Sequence, residues 1–259
     1  MTWTTRPRSE FGDLAAIRAG QGPTVLLLHG VGLRAEAWNA QIDALSDNFS
    51  VIAPDMAGHG SSSAFPGTPT LRDYADRIAH ALTAPLLIAG HSMGAMIALD
   101  LAIRYPDLVQ GVAALNAIYR RTPDAAQAVR ARAAALPLDT VADPSAPIER
   151  WFGTTPSAEA EACRTWLTSV SPLGYKAAYT VFAQEDGPSD DGLKTLRAPT
   201  LFLTGRLEPN STPAMSSAMA HLAPHGRTAV IEDAAHMMPM THPDQTNAHL
   251  IRFFQECLS

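Results

Sequence analysis

Ser92 stands in Gly90-His91-Ser92-Met93-Gly94, between an apolar run from Leu86 to Ala89 and a stretch from Ala95 to Tyr105 with helical apolar spacing. A serine in G-x-S-x-G between a strand and a helix sits on a sharp, strained turn with its hydroxyl facing out, which suits a nucleophile. Gly90 and Gly94 carry no Cβ, so the turn can close and the helix can approach the strand. A serine is weak at its free pKa; it needs a base, and the base needs a group that fixes its tautomer. Among nine histidines, His236 in Asp233-Ala234-Ala235-His236 comes five residues past a predicted strand and before the final helix. That position sets it above His221, His225 and His242 as the base. Glu208, just past another predicted strand, is the candidate orienting acid; Asp233 is a rival by nearness in sequence. Developing negative charge needs backbone N–H donors, and Met93, directly after the serine at the amino end of its helix, supplies one.

The elements that must hold these residues follow from pattern. Phe11 to Arg18 reads as an early strand closed by Gly20-Gln21-Gly22-Pro23. Thr24 to His29 is a continuous apolar strand of the kind buried on both faces of a parallel sheet, and it runs into His29-Gly30-Val31-Gly32. Glu36 to Leu45 has helical spacing. Ser50 to Pro54 is a strand leading to the Gly- and Ser-rich loop from Asp55 to Ser62. Thr70 and Asp73 form a capping box ahead of a helix with Leu71, Tyr74, Ala75, Ile78, Ala79 and Leu82 on one face. Gly111 to Leu115 is a strand ending at Asn116. Ala198 to Thr204 and Arg227 to Ile231 are the last strands, separated by a helix over Ser211 to Leu222, and a helix beginning near Pro243 closes the chain. Strands alternating with helices predict an α/β fold with a doubly wound, mostly parallel sheet.

From Ala117 to Gly192 the alternation stops. Alanine-rich helical pieces, four prolines between Pro137 and Pro156 and several aromatics predict a helical cap over residues 117–192, inserted into a core made of residues 1–116 and 193–259.

The 259 residues are 46% hydrophobic and 17% charged, ordinary for a globular chain long enough to bury a large core. A net charge of −6 offers no basic field for nucleic acid or anionic lipid. Cys163 and Cys257 match no metal spacing, and a reduced setting suits them. The first ten residues lack the apolar segment of a signal peptide, and no run approaches a membrane span. A cytoplasmic protein with a small-molecule substrate is expected, needing no cofactor and no metal; nothing in the sequence sets an oligomeric state.

The G-H-S-M-G elbow, the His29-Gly30 turn, the Pro54-Asp55-Met56-Ala57-Gly58-His59-Gly60-Ser61-Ser62 loop, the Gly205-Arg206-Leu207-Glu208 loop and the late His236 together resemble the α/β-hydrolase superfamily. The match covers nearly the whole chain outside the insertion. It looks like the small bacterial branch holding enol-lactonases, including those acting on 3-oxoadipate, carboxylesterases and pimeloyl-carrier methyl ester esterases. The family order of serine, acid and histidine on loops at strand ends falls on Ser92, Glu208 and His236. Glu208 departs from the usual G-x-x-D by placing a glutamate in the aspartate slot, where it serves the same chemistry. The alternative family site for the acid, after the strand preceding the cap, is Asn116, which carries no charge. By the same match the second oxyanion donor is the Val31 amide.

The resemblance implies a serine hydrolase that cleaves a small carboxylic ester, lactone or activated amide through an acyl-enzyme. The same residues also serve hydrolytic C–C cleavage of a ring-fission product, and a ligand receptor on this fold is a third reading that an intact set disfavours. Arg120 and Arg121, at the start of the insertion, are candidates for pairing with a substrate carboxylate, though adjacent arginines on a helix are usually a solvated pair.

Overall fold

The predicted strand from Phe11 to Arg18 is in fact a hairpin. In the computed structural model, which describes residues 3–259, β1 (Ser9–Phe11) and β2 (Leu14–Ala19) pair antiparallel with Phe11 opposite Leu14. The two residues between them, Gly12 and Asp13, make the turn, with Gly12 at φ 60°. A Gly-Asp pair between two short runs is a two-residue hairpin signal, which the reading of a single strand passed over. Met1 and Thr2, the start of the segment read as lacking a leader, lie outside the described residues.

The chain continues through β3 (Thr24–Leu28), α1 (Asn39–Leu45), β4 (Ser50–Pro54), α2 (Leu71–Ala81), β5 (Leu86–His91), α3 (Met93–Arg104) and β6 (Val109–Leu115). The helix expected from Glu36 begins as a 3-10 turn over Ala35–Trp38 and becomes α-helical at Asn39. Thr70 caps α2 by the expected reciprocal bonds with Asp73. Four helices follow in the insertion, α4 (Pro123–Ala135), α5 (Ser145–Phe152), α6 (Ala158–Ser169) and α7 (Pro172–Gln184), and a fifth, α8 (Asp190–Lys194), crosses its end. The sheet resumes with β7 (Thr200–Gly205), and α9 (Pro213–Leu222), β8 (Gly226–Ile231), α10 (Met238–Thr241) and α11 (Pro243–Leu258) complete the chain.

The eight strands lie in the order β1-β2-β4-β3-β5-β6-β7-β8. β1, β2 and β4 pair antiparallel in turn, and every other pairing is parallel. Parallel strands buried on both faces must be apolar at every position, and alternate residues feed two cores. Leu26, Leu28 and Ile88 face one core with α2, α3 and α9; Val25, Leu27, Leu87 and Ala89 face the other with α1 and α11. The carboxyl ends of β3, β5, β6, β7 and β8 therefore share one edge, the edge where open α/β sheets place their sites.

The insertion lies against that edge. A third apolar cluster joins Leu33 and Ala37, just beyond β3, to Ile148 of α5, Cys163, Trp166 and Leu167 of α6, and Met237 and Met240 just beyond His236. α7 meets the core through bare backbone: a Cβ on Gly58 would lie 2.6 Å from the Cα of Gly174. No side chain fits at either position without displacing the helix or the loop.

Candidate active site

Ser92 is the residue on which β5 turns into α3, with φ 58° and ψ −118°. A non-glycine residue held there stores strain, which the flanking contacts must hold in place. They do so by close approach: a Cβ at Gly90 would strike the carbonyl of Gly94, and one at Gly94 would strike the carbonyls of Leu28 and His29. The Ser92 amide donates to the Leu115 carbonyl at 2.9 Å, tying the elbow to the end of β6. Met93 opens α3, so its N–H is one of those a helix leaves without an internal partner.

The turn after β3 lies beside the elbow. A Cβ on Gly30 would come within 3.1 Å of the Ser92 Cβ. Two buried histidines hold this turn: His59 Nε2 accepts from the Gly32 amide at 3.0 Å, and His29 Nε2 accepts from the Met56 amide at 2.9 Å. Their Nδ1 atoms face carbonyls, His29 that of Gly30 and His59 that of Ala57, so each ring carries its proton on Nδ1. Burial pushes His59 down to about 3 and lowers His29 as well, which keeps both rings neutral and able to accept.

Behind the turn, Arg8 bridges two buried carboxylates. Its guanidinium donates to both oxygens of Glu36 at 2.8 Å and to Asp55 at 2.8 and 3.0 Å. Asp55 also accepts from the amides of Ala35 and Ser61. Burial alone would raise both carboxyls; Arg8 and the backbone amides more than offset it, so both stay below their ordinary values. The loops carrying Val31 and His59 are thereby fixed to one another.

Glu208 and His236 meet on the far side. His236 Nδ1 lies 2.7 Å from Glu208 Oε2, while Glu208 Oε1 accepts from the amides of Asn210 and Ser211 at 2.7 and 3.2 Å. Burial would raise the Glu208 carboxyl, but His236 and the two amides outweigh it and bring the group down to about 2. It is an anion at any working pH, and with only one imidazole nitrogen facing it, it fixes the ring's tautomer. Asp233, the rival acid, is exposed and lies 3.6 Å from His242 instead. Asn116, the alternative family position for an acid, donates its side-chain amide to the His236 carbonyl.

The Trp151 ring of α5 stacks on the His236 imidazole with centroids 5.8 Å apart and planes 20° apart. Ser92 is 8% exposed, so the insertion and the loops shelter the site from water. Arg120 and Arg121 take other partners. Arg120 pairs with Asp190, and the nearly buried Arg121 donates to the carbonyls of Phe182 and Glu185 and to Asp186.

Across residues 25–249 the sequence matches the alpha/beta hydrolase family. The chain belongs to that family. It is a hydrolase, and the sequence resemblance stated above is correct. The (E)-2-((N-methylformamido)methylene)succinate hydrolase of Acinetobacter baylyi is 42% identical to it over 234 residues, covering 88% of this chain and 89% of that protein. A thermophilic esterase from Thermogutta terrifontis, solved with malate bound, shares 29% identity at a TM-score of 0.87, covering 98% of this hydrolase and 100% of that chain. A solved E-2-(acetamidomethylene)succinate hydrolase shares 25% identity at a TM-score of 0.78, covering 96% and 98%. Among the described residues of this hydrolase no helix is long and apolar enough to cross a membrane.

Sequence reasoning missed His59, Trp151 and Arg8. His59 lay in a loop already singled out, and a histidine between two glycines there was a usable signal. Trp151 and Arg8 act across distances in sequence that no local pattern encodes.

Proposed function

We propose that the chain is a serine hydrolase of a small acid whose scissile bond is an amide or ester. Ser92 Oγ attacks the carbonyl carbon while His236 Nε2 takes its proton, and the amides of Val31 and Met93 receive the oxyanion. Glu208 holds the imidazolium. His236 returns the proton to the departing nitrogen or oxygen, leaving an acyl-Ser92 that water, deprotonated by the same histidine, hydrolyses. The observation that carries this reading is the 2.7 Å Glu208–His236 contact on the strand edge where Ser92 forms a strained elbow.

Acidity of the substrate is supported by the relatives: two are named for succinates bearing an acylated aminomethylene group, and the third was solved with malate. Arg150, an exposed residue of α5, is the cation we assign to such a carboxylate. It has no ion pair among the described residues, it precedes the Trp151 that stacks on His236, and its charge acts on the Tyr175 hydroxyl. That phenol, pushed up by burial to about 12, has its ring against Gly32 in the oxyanion turn. Residues 117–192 act as the cap that selects the substrate, with Arg120 and Arg121 bracing it through Asp190 and Asp186. The two free cysteines suit a cytoplasmic setting.

A fluorophosphonate should label Ser92, and labelling of another serine overturns the nucleophile. Turnover should favour 2-(acylaminomethylene)succinates over their dimethyl esters and over C–C ring-fission analogues. Preference for the neutral diesters would remove the acid, and preference for the C–C analogues would change the bond.

A further inference from the structure

Two side chains from adjacent strand ends converge on one backbone atom. His91 Nε2 lies 2.7 Å from the carbonyl oxygen of His236, and Asn116 Nδ2 donates to the same oxygen at 2.6 Å. A carbonyl only accepts, so His91 carries its proton on Nε2. The Asn116 amide cannot be turned over, because its Oδ1 takes the Gly205 amide at 3.3 Å and stands 2.9 Å from the Thr204 hydroxyl. Asn116 is also held at φ 50°, a strained backbone that asparagine tolerates better than most residues.

One donor would satisfy this half-buried carbonyl. Two, from β5 and β6, fix its position in space, and they act where the chain has least support of its own. Between β8 and α10 the loop has no ladder, and the backbone bond that reaches it from the Glu208 side, Leu207 to Ala234 at 2.9 Å, falls two residues short of the base. The His236 ring must reach Glu208 with Nδ1 and the serine with Nε2 at once, so a small shift of its backbone spoils one of the two.

We infer that His91 and Asn116 are positioning residues that clamp the His236 backbone and so align the base for proton transfer. The inference rests on the functional reading given above. It also gives Asn116 a role that an aspartate could not fill: a carboxylate at that position would offer an oxygen where the His236 carbonyl needs a donor.

The test is a double-mutant cycle on acylation by p-nitrophenyl acetate, with H91L, H91Q and N116D each made in the wild-type and H236A backgrounds. In the wild-type background H91L and N116D should each slow acylation by about 100-fold, as an ångström-scale misplacement does, with KM within about twofold. H91Q places an amide N–H where the imidazole N–H was and should stay within about threefold of wild type. In the H236A background none of the three should slow the reaction further, since no base remains to be aligned. Losses of equal size in both backgrounds, or H91Q as slow as H91L, overturn the clamp and leave two structural residues. If H91L does not fold, N116D, nearly isosteric, carries the cycle alone. An H236A enzyme with wild-type acylation overturns the functional reading itself and with it the clamp.

Discussion

Glu208 and His236 face each other at 2.7 Å from loops that are also stitched by backbone, the Leu207 amide donating to the Ala234 carbonyl at 2.9 Å. The pair is thus set by the sheet rather than by the side chains finding one another. Glu208→Gln should leave the fold intact and lower kcat by on the order of 10²–10⁴-fold, short of total loss because the oxyanion amides remain. Glu208→Asp, with its carboxylate one methylene further back, should fall between. Steady-state kinetics on a p-nitrophenyl ester decides it, and undiminished turnover in Glu208→Gln would move the acid elsewhere.

Acid should unfold this protein early. Burial holds His59 and His91 at about 3 in the folded state, against an ordinary value of 6.5. Between those values the unfolded chain binds a proton on each and the folded chain does not, so stability falls as pH falls. The slope is about 3 kcal/mol per pH unit for the two together. Glu208, held at about 2 against 4.5, adds a loss in the same direction below pH 4.5. Urea melts at pH 7, 6, 5 and 4 should show the decline, and H91Q should flatten it by about one proton; an unchanged slope in H91Q would remove His91 from the account.

Arginines near the insertion should separate by readout. Arg150→Ala should raise KM for carboxylate-bearing substrates and leave neutral esters little changed. Arg121→Ala should act on stability, because it strips donors from the Phe182 and Glu185 carbonyls and leaves Asp186 unpaired. A cost of about 1–3 kcal/mol, read as a lowered Tm, is the expected scale. Equal KM effects on acidic and neutral substrates would cancel the role given to Arg150.

Much of this arrangement is legible in the chain because it is local. The strand–elbow–helix passage around Ser92, the capping box at Thr70 and the apolar strand at Thr24 each follow from neighbours in sequence. Glu208 and His236 were legible as loop residues beyond strands, since a parallel sheet gathers its carboxyl ends. What escaped depends on distance. Arg8 reaches Glu36 and Asp55 over 28 and 47 residues, and Asn116 reaches the His236 carbonyl over 120. No periodicity records such contacts. The partners of the arginine pair were hidden for a related reason: the backbone carbonyls that Arg121 meets have no signature in sequence.

At Gly58 and Gly174 the insertion rests on the core through two bare backbones, and a Cβ on either would overlap the other. A methyl group there acts as a shim. Gly174 lies in α7 and is not among the residues with positive φ, so alanine suits its conformation and the clash alone does the work. Gly174→Ala should lift α7 off the Gly58 loop and loosen the insertion over the strand edge that carries Ser92, with none of the proposed catalytic residues substituted. The gauge of the opening is then adjustable by one carbon atom, and the measurement is the longest acyl chain accepted in a p-nitrophenyl ester series, which should increase.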